Sequence, residues 1–158
     1  MSGKKSGVDR VREALAAFGL RCEVLELPDS TRTAPEAARA VGCELGQIVK
    51  SLVFRGSETG RPILVAASGS NRVDEARVSA AISEPIEKAD AAFVRAKTGF
   101  AIGGVAPLAH AEPMVLFLDR DLLKYPDIWA AAGHPKAVFR LTPQELQRIG
   151  DWRVLEVV

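Results

Sequence analysis

Cysteine and histidine are scarce here: Cys22, Cys43, His110 and His134 are all the chain has of either. Neither pair falls at CxxC or HxxxH spacing, so no structural metal is expected, and the cysteines read as small buried hydrophobes. With no secretory apolar segment beside them, a reducing cytoplasm is the expected location. No apolar run approaches the roughly 20 residues a membrane-crossing helix needs, so no membrane partner is expected. Charge of one sign is lacking too. The 21 Lys and Arg nearly cancel the 20 Asp and Glu, and the net charge of +1 gives no global pull on nucleic acid. Any such contact has to come from a local patch. Internal repeats, low-complexity linkers and a Ser-His-Asp set are also missing. What remains is 158 residues, 47% hydrophobic and 26% charged. That composition suits one globular domain with a sizeable core and would cramp two.

Residues 1–7 are small and basic and are expected to be disordered, leaving a single domain over 8–158. Val11, Leu15 and Phe18 recur at helical spacing from Val8, and Gly19 supplies a stop. A strand is expected over 21–27. Thr33-Ala34-Pro35-Glu36 is a capping box that opens a short helix ended by Gly42. Residues 47–55 and 62–67 read as two strands of a hairpin. After a turn at 68–71, helices are expected over 73–82 and 89–97, with a short strand at 85–87 between them. Strands are expected next at 113–118, 127–131 and 137–141, the first closed by a turn at 119–121 and the last two separated by 132–136. Thr142-Pro143-Gln144-Glu145 repeats the capping logic for a helix ending at Gly150, and 152–158 reads as a final strand. Hairpin-like neighbours among short helices predict an α/β (α+β) domain with a mixed, largely antiparallel sheet surrounded by short helices, rather than a doubly wound one.

Two places stand out chemically. Thr98 to His110 reads Thr-Gly-Phe-Ala-Ile-Gly-Gly-Val-Ala-Pro-Leu-Ala-His. A strand-like piece (Phe100, Ala101, Ile102) runs into Gly103-Gly104, where main chain can approach a ligand with no Cβ in the way. Pro107 stiffens the far end of the turn and restrains Ala106. A stiff loop with exposed N–H groups can polarise a carbonyl oxygen, although Gly-Gly before Pro is also what an ordinary turn looks like. Lys50 begins a core strand, where a solvated edge lysine is the usual reading. Gly42, Gly46, Lys50 and Ser51 do not make a phosphate loop, because that motif needs Gly directly before Lys.

Taken in order, Ile48-Val49-Lys50-Ser51-Leu52, the 98–108 segment, and Gly133-His134-Pro135-Lys136-Ala137-Val138-Phe139-Arg140-Leu141-Thr142-Pro143 resemble the YbaK and prolyl-tRNA-synthetase-associated editing family. The likeness runs from about Val8 to Trp152 and is greatest to its alanine-type trans-editing proteins. It implies a free-standing hydrolase that cleaves the ester joining a wrong amino acid to tRNA, most often tRNA for proline. It implies no cofactor, a partner in the tRNA acceptor end, and a further partner in prolyl-tRNA synthetase.

By the same resemblance Lys50 is the functional lysine, and Gly103, Gly104, Val105, Ala106 and Pro107 form the loop that binds the substrate carbonyl. Ser51, Thr98, Gly99, Phe100, Gly133 and His134 carry over as substrate-contacting positions, with His134 a candidate wall or polar guide for a small side chain and Phe100 more a core residue than a base-stacking platform. The cysteine-removing branch has Ser and Asp where this chain has Ala131 and Val138, which favours alanine over cysteine, with 2-aminobutyrate, serine or threonine behind. Arg72, Arg77, Arg95, Lys97 and Lys136 are candidates for a basic rim. A non-catalytic module holding tRNA or a synthetase, and a small-molecule esterase, are the competing readings.

Overall fold

The computed structural model describes residues 6–158; most of the N-terminal segment expected to be disordered lies outside the described residues. Ser6 and Gly7, expected within it, instead begin the first helix. Ser6 caps α1 (Gly7–Ala17) by accepting from the Asp9 N–H. The capping box read from sequence is complete at Thr142, which opens α5 (Pro143–Arg148); at α2 (Ala34–Val41) Thr33 accepts from the Glu36 N–H, but the Glu36 carboxylate reaches the Arg32 N–H instead of that of Thr33. Asp74 and Asp90 cap α3 (Glu75–Ile82) and α4 (Ala91–Thr98). At the far ends of α2 and α4, Gly42 and Gly99 sit at φ of 75° and 81°.

The strands are β1 (Val24–Glu26), β2 (Val49–Gly56), β3 (Pro62–Ser68), β4 (Ile86–Lys88), β5 (Val115–Asp119), β6 (Ile128–His134), β7 (Ala137–Leu141) and β8 (Trp152–Leu155). They form two sheets where one was expected: a five-stranded β4-β2-β3-β5-β8 and a three-stranded β1-β7-β6. A parallel bridge between Ile48 and Trp129 links them. β3–β5 and β5–β8 run parallel, and the other four pairings are antiparallel. Central β3 is buried on both faces, with Ile63, Leu64, Val65, Ala66 and Ala67 all 0% exposed. Leu64 and Ala66 join the core beneath α1 and the small sheet, while Ile63, Val65 and Ala67 pack with Val78 and Ile82 of α3. Each such large side chain contributes about 1.5–3 kcal/mol of burial.

Three local expectations are corrected. Residues 100–102 form no strand, because the Thr98 hydroxyl takes the Phe100 N–H and Gly104 N–H takes the Ala101 carbonyl, so no ladder can form. The turn at 119–121 is the start of a 3-10 helix, Arg120–Lys124, capped by Asp119. β6 continues to His134 through a register shift after Ala131, so the β6–β7 connection is only Pro135 and Lys136.

Helix α1 braces two bends. Arg10 Nη2 donates to the Gly99 carbonyl at 2.5 Å, and its guanidinium lies 4.4 Å above the Phe100 ring centroid. Gly7 rests so closely on Gly133 that a Cβ at Gly7 would come within 2.2 Å of the Gly133 oxygen. Arg10→Ala is expected to destabilise the fold by about 1.5–3 kcal/mol, the range for hydrogen bonds to charged groups, read as a lower unfolding midpoint.

Candidate active site

β4 pairs only with Phe54, Arg55 and Gly56 of β2. The earlier part of β2, around Lys50, Ser51 and Leu52, therefore has β3 on one side and no strand of its own sheet on the other. Near its start β6 adjoins β2 through the Ile48–Trp129 bridge, and beyond it Ile102, Gly103 and Val105 join Lys50, Ser51 and Leu52 in the common wall of two adjoining cavities. One, about 360 Å³, adds Arg72, Glu75 and Lys88 to an apolar floor of Val53, Phe54, Val73 and Val94. The other, about 420 Å³, is mostly apolar, with Leu27, Ala34, Ala37, Ile48, Trp129, Ala131 and Val138.

The loop is held from several directions. Ala101 to Gly104 is a tight turn closed by Gly104 N–H donating to the Ala101 carbonyl at 2.9 Å. Gly103 takes φ of +88° at the third position of that turn, where a side chain is strained. Gly104 contributes closeness: a Cβ there would lie 2.8–2.9 Å from backbone atoms of His134 and Pro135. The Gly104 N–H is thus committed, whereas no acceptor among the described residues takes the N–H of Gly103, Val105 or Ala106. Of these, Gly103 and Val105 line both cavities and are the donors a ligand oxygen could use, whereas Ala106 is fully buried and lines neither.

Behind the turn, His110 Nε2 lies 2.7 Å from the Ala106 carbonyl. That oxygen can only accept, so the imidazole carries its proton on Nε2. Burial pushes the His110 pKa below its usual value, opposed by this hydrogen bond. An unfolded histidine takes up a proton near pH 6.5 and the folded one only at lower pH, so acid favours the unfolded chain. Stability should be complete above about pH 6.5 and fall as the pH drops through the lowered value. His110→Gln, which can keep the bond, is expected to lose this slope in unfolding midpoints measured across that window.

Of the expected substrate contacts, Ser51 lies in the shared wall, its buried hydroxyl without a partner. Thr98, Gly99 and Phe100 line neither cavity. Thr98 is 0% exposed and donates to the Val94 carbonyl, Gly99 caps α4, and Phe100 is core under Arg10. His134 is exposed, its Nδ1 accepting from the Lys136 N–H, and the wall at this turn is Pro135 and Lys136 instead. Gly133, at φ of +90°, packs on Gly7. Pro107 and Ala106 are buried in the loop's rear. The rim is also reduced: Arg77 pairs with Asp74 and Lys97 with Glu112, while Arg72 and Lys136 do face the cavities. Sequence reasoning missed Lys88, Trp129 and Asn71, whose carbonyl accepts from Lys50 Nζ. Ile102, 56% exposed, lines both cavities.

Comparison with known proteins gives this arrangement a context. Residues 28–149 match the family model described as an aminoacyl-tRNA editing domain. The chain belongs to that family. It is 31% identical over 144 residues to YwhH of Bacillus subtilis (strain 168), an uncharacterised protein, covering 91% of each. It is 25% identical over 126 residues to EbsC of Enterococcus faecalis, named as a candidate Cys-tRNA(Pro)/Cys-tRNA(Cys) deacylase, covering 79% of this chain and 76% of that one. A crystal structure of a candidate trans-editing enzyme for prolyl-tRNA synthetase superposes with a TM-score of 0.91 at 47% identity, over 98% of both chains. In this editing domain no described helix is long and apolar enough to cross a membrane.

Proposed function

We propose that the chain is an aminoacyl-tRNA deacylase that hydrolyses the ester of a small amino acid wrongly joined to tRNA for proline. The observation that carries this reading is that Lys50 and a turn with uncommitted Gly103 and Val105 N–H groups line the same wall at the junction of two cavities. The match over nearly the whole of a trans-editing candidate supports action in trans, with prolyl-tRNA synthetase as an associate.

In this reading the mainly apolar cavity takes the amino-acid side chain. The cavity bearing Arg72 and Lys88 takes the terminal nucleotide, and the ester lies between them. Negative charge that develops on the carbonyl oxygen meets the N–H groups of Gly103 and Val105 and the compact charge of Lys50. The nucleophile is a water oriented by the loop and by the substrate's own terminal ribose hydroxyl, since esters of this kind yield to positioning and electrostatics. Ala131 and Val138, a cross-strand pair in the apolar wall, offer nothing to hold a thiol or hydroxyl. That favours alanine, then 2-aminobutyrate, ahead of serine, threonine and cysteine. A pocket separates such side chains by only about 1–3 kcal/mol per methylene, so release is expected to be graded.

The test is hydrolysis of tRNA(Pro) charged in turn with alanine, cysteine, serine and threonine. Alanine released well above the spontaneous rate, ahead of the others, is the expected result. Charged tRNA that binds but loses no amino acid would make this a binding module instead. Faster loss of cysteine would transfer the specificity of the E. faecalis relative's name to this chain.

A further inference from the structure

A lysine on a strand edge has a flexible four-carbon stem and no direction of its own. Here one acceptor sets it: Lys50 Nζ donates to the main-chain carbonyl of Asn71 at 2.5 Å. No other acceptor among the described residues takes its protons, so two remain for a ligand. The residue supplying that carbonyl is itself tied down through its side chain. Asn71 Nδ2 donates to Asp119 Oδ2 at 2.9 Å and to Asp121 Oδ2 at 2.8 Å. Asp119 is 1% exposed and also accepts from the Ser68 and Asp121 N–H groups, each at 2.9 Å. The turn closes with Asn71 N–H to the Ser68 carbonyl at 2.9 Å, and Ser68 Oγ donates to the Gly46 carbonyl at 2.7 Å.

Hydrogen bonds to ionised carboxylates are the strong kind. One carboxamide forked between two of them fixes its own backbone, and with it the oxygen that Lys50 follows. Capping the turn alone would need neither both carboxylates nor a carbonyl facing the ammonium.

We propose that Asn71 is a positioning residue for the deacylation reaction: its carboxamide, held by Asp119 and Asp121, sets the carbonyl that aims the Lys50 ammonium into the cleft. This rests on the catalytic role proposed for Lys50, so the experiment includes a readout that does not need turnover.

Asn71→Ala, Lys50→Ala and the double variant are compared in single-turnover hydrolysis of Ala-tRNA(Pro), in binding of that tRNA, and in acetylation of each lysine by acetic anhydride, read by mass spectrometry. Misplacement by about 1 Å can cost a hundredfold, so Asn71→Ala is expected to slow hydrolysis by roughly 10- to 100-fold while the tRNA Kd stays within about twofold. In the Lys50→Ala background the same change should cost less than about twofold, because the two residues act as one unit. Lys50 acetylation should change severalfold relative to Lys88 and Lys136, and Asn71→Ser, which keeps a donor, should recover part of the rate.

Independent, fully additive losses, or unchanged Lys50 acetylation in Asn71→Ala, would overturn the proposal. If the unmodified protein releases no amino acid yet Asn71→Ala alters Lys50 acetylation, the deacylase reading fails while the hold of Asn71 on Lys50 stands. Should Asn71→Ala not fold, Asp121→Ala removes one of the two acceptors and is read by the same acetylation ratio.

Discussion

Lys50→Ala is expected to slow hydrolysis of the mischarged ester by roughly a hundred- to a thousandfold, the range for losing one electrostatic donor to a developing oxyanion. The unfolding midpoint should hardly move. Lys50 is only partly buried, its one hydrogen bond goes to a carbonyl on a surface turn, and the β2–β3 pairing through Ala67 does not depend on its side chain. Lys50→Arg is the sharper control. Its planar guanidinium keeps the charge but cannot present a compact ammonium from the same site, so most of the loss should remain. Turnover unchanged in both variants would remove this residue from the chemistry.

The second large effect is expected at the paired glycines, and it separates them. Gly104→Ala drives a methyl to within 2.8–2.9 Å of main-chain atoms of His134 and Pro135, which cannot swing aside as a side chain could. Overpacking of that kind costs about 1–3 kcal/mol, and the displaced turn should lower the rate by about a hundredfold. At Gly103 a methyl has room, 3.7 Å from the Pro135 ring, and the cost is the positive φ alone, about 1–2 kcal/mol. Rates and unfolding midpoints of the two alanine variants side by side check the ordering. Equal penalties would mean that close approach to the His134 turn is not what Gly104 contributes.

The sequence carried the local features well because each has a local cause. Thr33 and Thr142 each accept from the N–H three residues on, and Gly99 takes the left-handed conformation where the helix pattern stops. Gly103 likewise shows the positive φ that a Gly-Gly pair suggests. Division of the strands between two sheets was not legible, since the Ile48–Trp129 bridge and the parallel β3–β5 pairing join segments with no shared local signal. Strand-like composition at 100–102 misled because the Thr98 hydroxyl captures the backbone that a ladder would use. Asn71 looked like one more turn residue, and its partners Asp119 and Asp121 lie some fifty positions away. His134 sits at the right bend, but its ring folds back on the Lys136 N–H, leaving the wall to its neighbours.

Helix α1 lies wholly outside the span 28–149 recognised as the editing domain, yet it grips two bends just behind the cleft wall in sequence, at Gly99 through Arg10 and at Gly133 through Gly7. Excising that span as a minimal unit, or grafting it into another protein, would cut away the scaffold that keeps the two bends in register. Such a fragment would also lose β1 and β8, the edge strands of the two sheets, so a deletion confined to α1 is the direct way to read what the helix contributes.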